Sequence, residues 1–200
     1  PAEPFFLWVH LYDPHHPYSP SPEYAARFST PYLAEVAEMD HELGRLFDGL
    51  RARDMWDETF VLALADHGEA FGEHGEVTHG TFCYETTLQV PFVARWPKGA
   101  SARRAGESSR ELVSAVDVAP TLVEAMGLEE LADIDGMSFF ARALPRERGV
   151  YFESYYSYFS CGWSPLSGWL DERGKYIHSS APELYDWRAD PHELHDLLPA

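Results

Sequence analysis

Asp66 and His67 stand side by side at the end of an apolar run, Thr59-Phe-Val-Leu-Ala-Leu-Ala65. A carboxylate and a neutral imidazole leaving a rigid strand together can both point at one cation. Carboxylate alone suits calcium or magnesium, and the imidazole also admits manganese or zinc. Composition leaves a second reading open, a solvated acidic loop with incidental histidines. Two ligands do not complete a metal site, so others must come from elsewhere. His79 lies before Gly80, which permits close backbone approach to a ligand, and its ring can donate to an anion. His74, within Gly72-Glu-His-Gly75, can serve the same chemistry or the loop's own stability.

A second polar cluster, His10, Asp13, His15 and His16, follows the apolar run Pro4-Phe-Phe-Leu-Trp-Val-His-Leu11. His15 sits in Asp13-Pro-His-His-Pro17, where prolines stiffen the loop and hold a side chain in a fixed direction. A histidine so held can protonate a departing alkoxide or hold an anionic oxygen. Taken alone, the same residues also read as a Pro-rich turn with exposed imidazoles, and His16 as a mere neighbour. Other chemistries lack their signals. There is no Gly-x-Ser-x-Gly elbow, no P-loop and no dinucleotide fingerprint. Cys83, between Thr81-Phe82 and Tyr84-Glu85, reads as a buried thiol at a helix start rather than a nucleophile.

These residues need elements to position them. The runs 4–11, 59–65 and 90–96 read as buried strands, since continuous apolar stretches bounded by turn residues suit a parallel sheet. Leu33, Val36, Ala37, Leu43, Leu46, Phe47 and Leu50 recur at helical spacing and predict a helix from about Pro31 to Arg53. A second helix is predicted from Asp117 to Met126, with Asp117 as N-cap, Pro120 in the first turn and Gly127 as terminator. Strand and helix alternate, which argues for an α/β sheet flanked by helices. After Pro145 the segments 150–157, 168–170, 175–179 and 184–187 are short and aromatic, predicting a small antiparallel sheet. Ligands of open α/β sheets bind at the carboxyl ends of strands, where both polar clusters fall. Trp163, Trp169 and the tyrosines of 155–158 can line a sugar or aryl site, but as aromatics they are first expected to pack that small sheet.

The 200 residues are 45% hydrophobic, enough for a sizeable core and too many for a disordered chain. The net charge of −18 repels phosphate backbones and makes nucleic acid a poor partner. It also means that any anionic substrate requires a strong local positive charge, such as a metal ion. The apolar runs are too short to span a bilayer. Two cysteines make no disulfide framework.

Ala65-Asp-His-Gly-Glu69, Gly72-Glu-His-Gly75, Thr78-His-Gly80, Tyr84-Glu85 and Val90-Pro91 together resemble the central block of the sulfatases, members of the alkaline phosphatase superfamily. The opening strand with its Pro-His loop, the Glu35–Leu46 helix, Asp117-Val-Ala-Pro-Thr-Leu122, and Leu184-Tyr-Asp186 with Asp190-Pro-His-Glu193 are similar to successive parts of the same family. The resemblance implies an alkaline-phosphatase-like α/β sandwich with a mostly parallel sheet flanked by helices, over residues 1–145. A small C-terminal antiparallel subdomain is expected over 146–200. It implies that Asp66 and His67 are metal ligands, that His79 holds the sulfate oxygens, and that His15 binds substrate near the leaving oxygen. Many relatives have Asn where His67 stands; calcium is favoured, with manganese and magnesium open. The implied reaction is hydrolysis of a small-molecule or carbohydrate sulfate ester.

The resemblance also sets alternatives: a phosphodiesterase or phosphonate hydrolase on the same scaffold, or a non-catalytic ligand-binding remnant. Neither Cys83 nor Cys161 lies in the Cys/Ser-x-Pro/Ala-x-Arg motif whose Cys or Ser becomes formylglycine. The paired acidic ligands of the first family strand are missing as well. The expectation is therefore a C-terminal half of a sulfatase-type enzyme, its formylglycine segment lying before Pro1, inactive and weak in metal binding by itself.

Overall fold

A computed structural model describes residues 4–100, 106, 108–140 and 143–199. The chain divides into two compact units, Pro1–Thr59 and Phe60–Ala200.

In the first unit a short helix, α1 (Pro22–Ala25), precedes the long α2 (Pro31–Arg51). Thr30 caps α2 by accepting the Leu33 N–H at 3.2 Å, and Pro31 fits the first turn, where its missing donor costs nothing. The helix thus starts where the spacing predicted and ends two residues earlier, at Arg51. Its acidic residues do more than solvate it. Glu35 is buried and accepts from the Ser19 backbone N–H, and Glu38 accepts from Ser21 N–H at 2.9 Å. These two carboxylates hold the C-terminal end of the Pro-rich loop.

The run 4–11 differs from expectation. It forms no ladder, and Phe6 and Trp8 lie on the surface. An apolar run records a tendency to be covered, whereas a strand exists only as a hydrogen-bonded pair. The pairing of the second unit corrects the sheet direction too. β1 (Val61–Leu64) and β2 (Phe92–Arg95) pair antiparallel, with Val61 opposite Arg95 and Leu64 opposite Phe92. Among the described residues every ladder is antiparallel, so the mostly parallel sheet is not what they form. Apolar runs carry no direction. A parallel pair needs a crossover with a substantial helix, and the only α-helix between β1 and β2 is the four-residue α3 (Glu85–Leu88).

The predicted helix near 117–126 is α4 (Val118–Ala125), closed by Gly127 in the left-handed region at φ +66°. Asp117 precedes it without capping it. Its fully buried carboxylate accepts Ser114 N–H at 2.8 Å, Met137 N–H at 2.8 Å and a bidentate Arg148 at 2.8 and 3.1 Å.

The C-terminal antiparallel sheet is present. β3 (Val150–Ser154), β4 (Leu166–Asp171), β5 (Gly174–His178) and β6 (Glu183–Tyr185) run in sequence order. The strand expected to continue to residue 157 gives way to α5 (Tyr156–Cys161). One face buries Phe152, Leu170, Ile177 and Tyr185 with Cys83. Gly168 has no room for a side chain, because a Cβ there would lie 2.3 Å from the Phe152 ring.

The aromatic segment departs from the packing expectation. Tyr155, Tyr156, Tyr158, Trp163 and Trp169 are all exposed. Tyr151, Trp169 and Tyr176 form a cross-strand row on the open face, since a single sheet of this size covers only one side. No helix among the described residues is long and apolar enough to cross a membrane.

Candidate metal and anion site

β1 ends at Leu64 and delivers Asp66 and His67 to the start of a compact loop. The loop folds back through Ala70 N–H to Thr78 O at 2.7 Å and Gly72 N–H to Glu76 O at 2.7 Å. Its tip needs left-handed backbone, supplied by Gly72 at φ +115° and Gly75 at φ +80°. His74 adopts it as well, at φ +52°. Its ring stacks on Tyr84 at 3.6 Å and its Nε2 donates to His192 O at 3.0 Å. Those contacts serve the loop, the plainer of the two roles open to His74.

The fold-back brings His79 against His67, with ring centroids 3.9 Å apart and planes inclined by 26°. Each ring is oriented by a partner. His67 Nδ1 lies 2.9 Å from the Gly68 carbonyl oxygen, which only accepts, so Nδ1 carries the proton and Nε2 keeps its lone pair. That lone pair lies 3.8 Å from Asp66 Oδ1, and Asp66 presents its carboxylate to solvent. An imidazole fixed by a backbone carbonyl beside an accessible carboxylate is a donor pair suited to a divalent cation. His79 Nδ1 meets Glu69 Oε1 at 3.0 Å, and the Glu69 side chain is only 5% exposed. A proton on Nδ1 satisfies Glu69; a second proton, on Nε2, makes the ring a cation able to hold an anionic oxygen.

The structure therefore assembles Asp66, His67 and His79 in one place. His15 belongs to the first unit, where its Nδ1 donates to His16 O at 2.6 Å and its ring lies 4.6 Å from Tyr12. Three supporting residues escaped assignment in the sequence. Glu69 orients His79. Glu76, also buried, accepts Thr81 N–H at 2.7 Å and so anchors the chain just past His79. Gly68 leaves no space, since a Cβ would meet Thr86 O at 2.4 Å and Gln89 O at 3.2 Å. A short-spaced Glu-rich loop flags the first two only weakly, and nothing local flags the third. Cys83 is buried, and burial pushes its thiol up to about 12, which makes it no nucleophile.

The sequence profile described as Sulfatase matches residues 1–128. The chain belongs to the sulfatase family. A second profile, N-sulphoglucosamine sulphohydrolase, C-terminal, matches residues 72–200 of this sulfatase-family chain. The N-acetylglucosamine-6-O-sulfatase of Bacteroides thetaiotaomicron is 31% identical over 185 residues, covering 84% of this chain and 31% of its own length. The uncharacterized sulfatase YidJ of Escherichia coli is 26% identical over 98% of this chain and 47% of its own. The chain thus spans less than half the length of these curated relatives. Among solved structures, a protein in complex with its substrate D-glucosamine-2-N,6-O-disulfate superposes with a TM-score of 0.73 at 30% identity, over 84% of this chain and 35% of its own. The phosphonate monoester hydrolase of Agrobacterium radiobacter superposes with a TM-score of 0.67 at 28% identity, over 84% of this chain and 36% of its own.

Proposed function

We propose that this sulfatase-family chain contributes part of the active site of a metal-dependent sulfate ester hydrolase. The carrying observation is the paired orientation of His67 and His79: one ring is held through Nδ1 by the Gly68 carbonyl with Nε2 toward Asp66, and its stacked neighbour meets Glu69 through Nδ1. Asp66 and His67 would hold a divalent cation, with calcium preferred and manganese or magnesium admitted. When bound, such a cation offsets negative charge on the sulfuryl oxygens. His79, carrying a proton on each ring nitrogen, binds a sulfuryl oxygen through its Nε2–H, and Glu69 accepts the Nδ1–H and fixes the ring's orientation. His15 is assigned to the leaving oxygen, where it donates a proton as the ester bond breaks. The nucleophile, a formylglycine by family resemblance, is assigned to sequence outside this chain. The chain's isolated inactivity is part of the same proposal.

The test uses the complete polypeptide that carries this chain. Calorimetric titration with calcium and with manganese is expected to show saturable binding, and hydrolysis of an aryl sulfate should fall on chelation. Asp66→Ala should weaken cation binding by about a hundredfold or more. Unchanged affinity in that variant removes Asp66 from the site and overturns the proposal.

Gly68→Ala gives a second expected outcome. The added methyl has to displace the Thr86 carbonyl or shift the turn that carries His67. Cation affinity and kcat/KM should then drop by about a hundredfold, the usual effect of a misplacement near 1 Å, while far-UV circular dichroism stays native. Wild-type kinetics in Gly68→Ala would show that this close approach positions nothing.

The likeness to a phosphonate monoester hydrolase favours one further reading, phosphoryl esters on the same residues. Comparing turnover of an aryl sulfate with that of an aryl phosphonate monoester separates the two.

A further inference from the structure

The loop that carries Asp66, His67 and His79 turns through Gly72, His74 and Gly75, all three in the left-handed region. Glycine enters that region freely, whereas a residue with a Cβ is strained there. Glycine at position 74 would therefore fit the turn with less strain than the histidine does. What the histidine adds is its ring. That ring lies flat on Tyr84, with centroids 3.6 Å apart and planes inclined by 12°, and its Nε2 donates to His192 O at 3.0 Å. Both contacts lead out of the loop. Strained backbone that serves to place such contacts points to a task for them.

Both partners of His74 are themselves fixed. Tyr84 donates its hydroxyl to Glu183 on β6 at 2.8 Å and meets the Tyr185 ring edge-on at 6.3 Å. His192 lies in a turn closed by Glu193 N–H to Asp190 O at 3.0 Å. The peptide whose carbonyl receives His74 ends at Glu193, so the φ of Glu193 aims that carbonyl. This φ is +52°, again left-handed without glycine. The buried Glu193 carboxylate holds the residue there, 2.7 Å from Lys175 Nζ and accepting the Glu85 N–H at 2.7 Å. Among the described residues, non-glycine left-handed backbone occurs at Asp54, His74, Asp133 and Glu193, and two of these four flank this one contact.

We propose that His74 is a positioning residue, which joins this loop to the 190–193 turn and thereby holds Asp66, His67 and His79 in place. The assignment rests on the function proposed above. Two backbone bonds tie the arms of the loop together, Ala70 N–H to Thr78 O and Gly72 N–H to Glu76 O. Both lie within the loop. His74 anchors the tip to a different part of the fold, where the arm carrying His67 turns into the arm carrying His79. If the tip shifts, one arm slides along the other, and the rings of His67 and His79, now 3.9 Å apart, lose their alignment. The histidine at the tip thus acts on the site through the loop, without touching the reacting atoms.

The experiment uses hydrogen exchange and calcium titration on the complete polypeptide. His74→Gly relaxes the turn and removes both contacts. The Ala70 and Gly72 amides should then exchange about tenfold faster, the combined effect of losing one hydrogen bond and one ring stack. Amides of β3–β6 should keep their wild-type rates. The midpoint of the calcium titration should weaken by about tenfold as the ligands lose their alignment. A merely structural role does not mimic this, because fewer folded molecules lower the stoichiometry and leave the midpoint in place. His74→Gln carries an amide N–H about as far as the imidazole Nε2 and should recover part of both effects. Loop exchange or a calcium midpoint unchanged in His74→Gly, or His74→Gln no better than His74→Gly, would overturn the assignment. A wild type that takes up neither calcium nor manganese refutes the metal reading instead, and the exchange rates then still decide whether His74 holds the loop.

Discussion

Lys175→Met is expected to lower stability by about 3–5 kcal/mol, the usual consequence of removing one partner from a buried ion pair. Lys175 is completely buried on β5, with Nζ 2.9 Å from Glu85 Oε1, 2.7 Å from Glu193 Oε1 and 5.2 Å from the centre of the Phe152 ring. Glu193 is buried as well and accepts the Glu85 backbone N–H at 2.7 Å through its other oxygen. One ammonium thus joins the start of α3, the C-terminal sheet and the final segment of the chain. Without it, two carboxylates face each other with no counter-charge.

Burial pushes the Glu193 carboxyl above its ordinary value, while the Lys175 ammonium pulls it back down. A carboxyl raised in the folded state costs stability as pH climbs from the ordinary carboxylate value through the raised one, because ionisation is then easier in the unfolded chain. Loss of Lys175 removes the downward pull. The deficit of Lys175→Met should therefore be smallest in acid and grow toward neutrality, and adding Glu193→Gln should recover part of it. Urea titrations at several pH values measure both effects. A deficit that is the same at every pH would show that the ammonium only fills space.

Asp117→Ala should cost a similar amount, about 3–5 kcal/mol, because it strands a guanidinium that is only 11% exposed and two backbone donors. The carboxylate binds the turn before α4, the segment at Met137 and Arg148. Asp117→Asn should fall between, since one oxygen remains while the amide nitrogen meets donors. Arg148→Met and Asp117→Ala act on one network, so their effects should not add in a double-mutant cycle. Strict additivity in chemical unfolding would show the two side chains to be independent.

Local pattern revealed α2, α4 and the four-stranded C-terminal sheet, because helical spacing, a proline in the first turn, glycine terminators and short aromatic runs each act within a few residues. It also singled out Asp66, His67 and His79 as candidates, through their residue types and their place after a strand, and the fold stacks His67 on His79. It did not reveal strand direction, which depends on the route of the chain between Leu64 and Phe92. Nor did it reveal the buried acids. Glu35, Glu76 and Glu193 look like surface residues to any hydropathy pattern, and their partners are set by the tertiary fold. Lys175 and Glu85 lie 90 positions apart, and no spacing rule connects them. The exposure of Trp163, Trp169 and the tyrosines of 155–158 escapes local pattern for a related reason. Their bulk signals burial only when a second layer exists, and the outer face of this sheet has none among the described residues.

The two thiols have opposite surroundings. Cys161 ends α5 in the open, and Cys83 is sealed among Phe152, Leu170, Ile177 and Tyr185. An alkylating reagent therefore meets one at once and waits for the other until the sheet core comes apart. The native molecule carries its own stopwatch for unfolding, with a zero mark and a finish line and no foreign label.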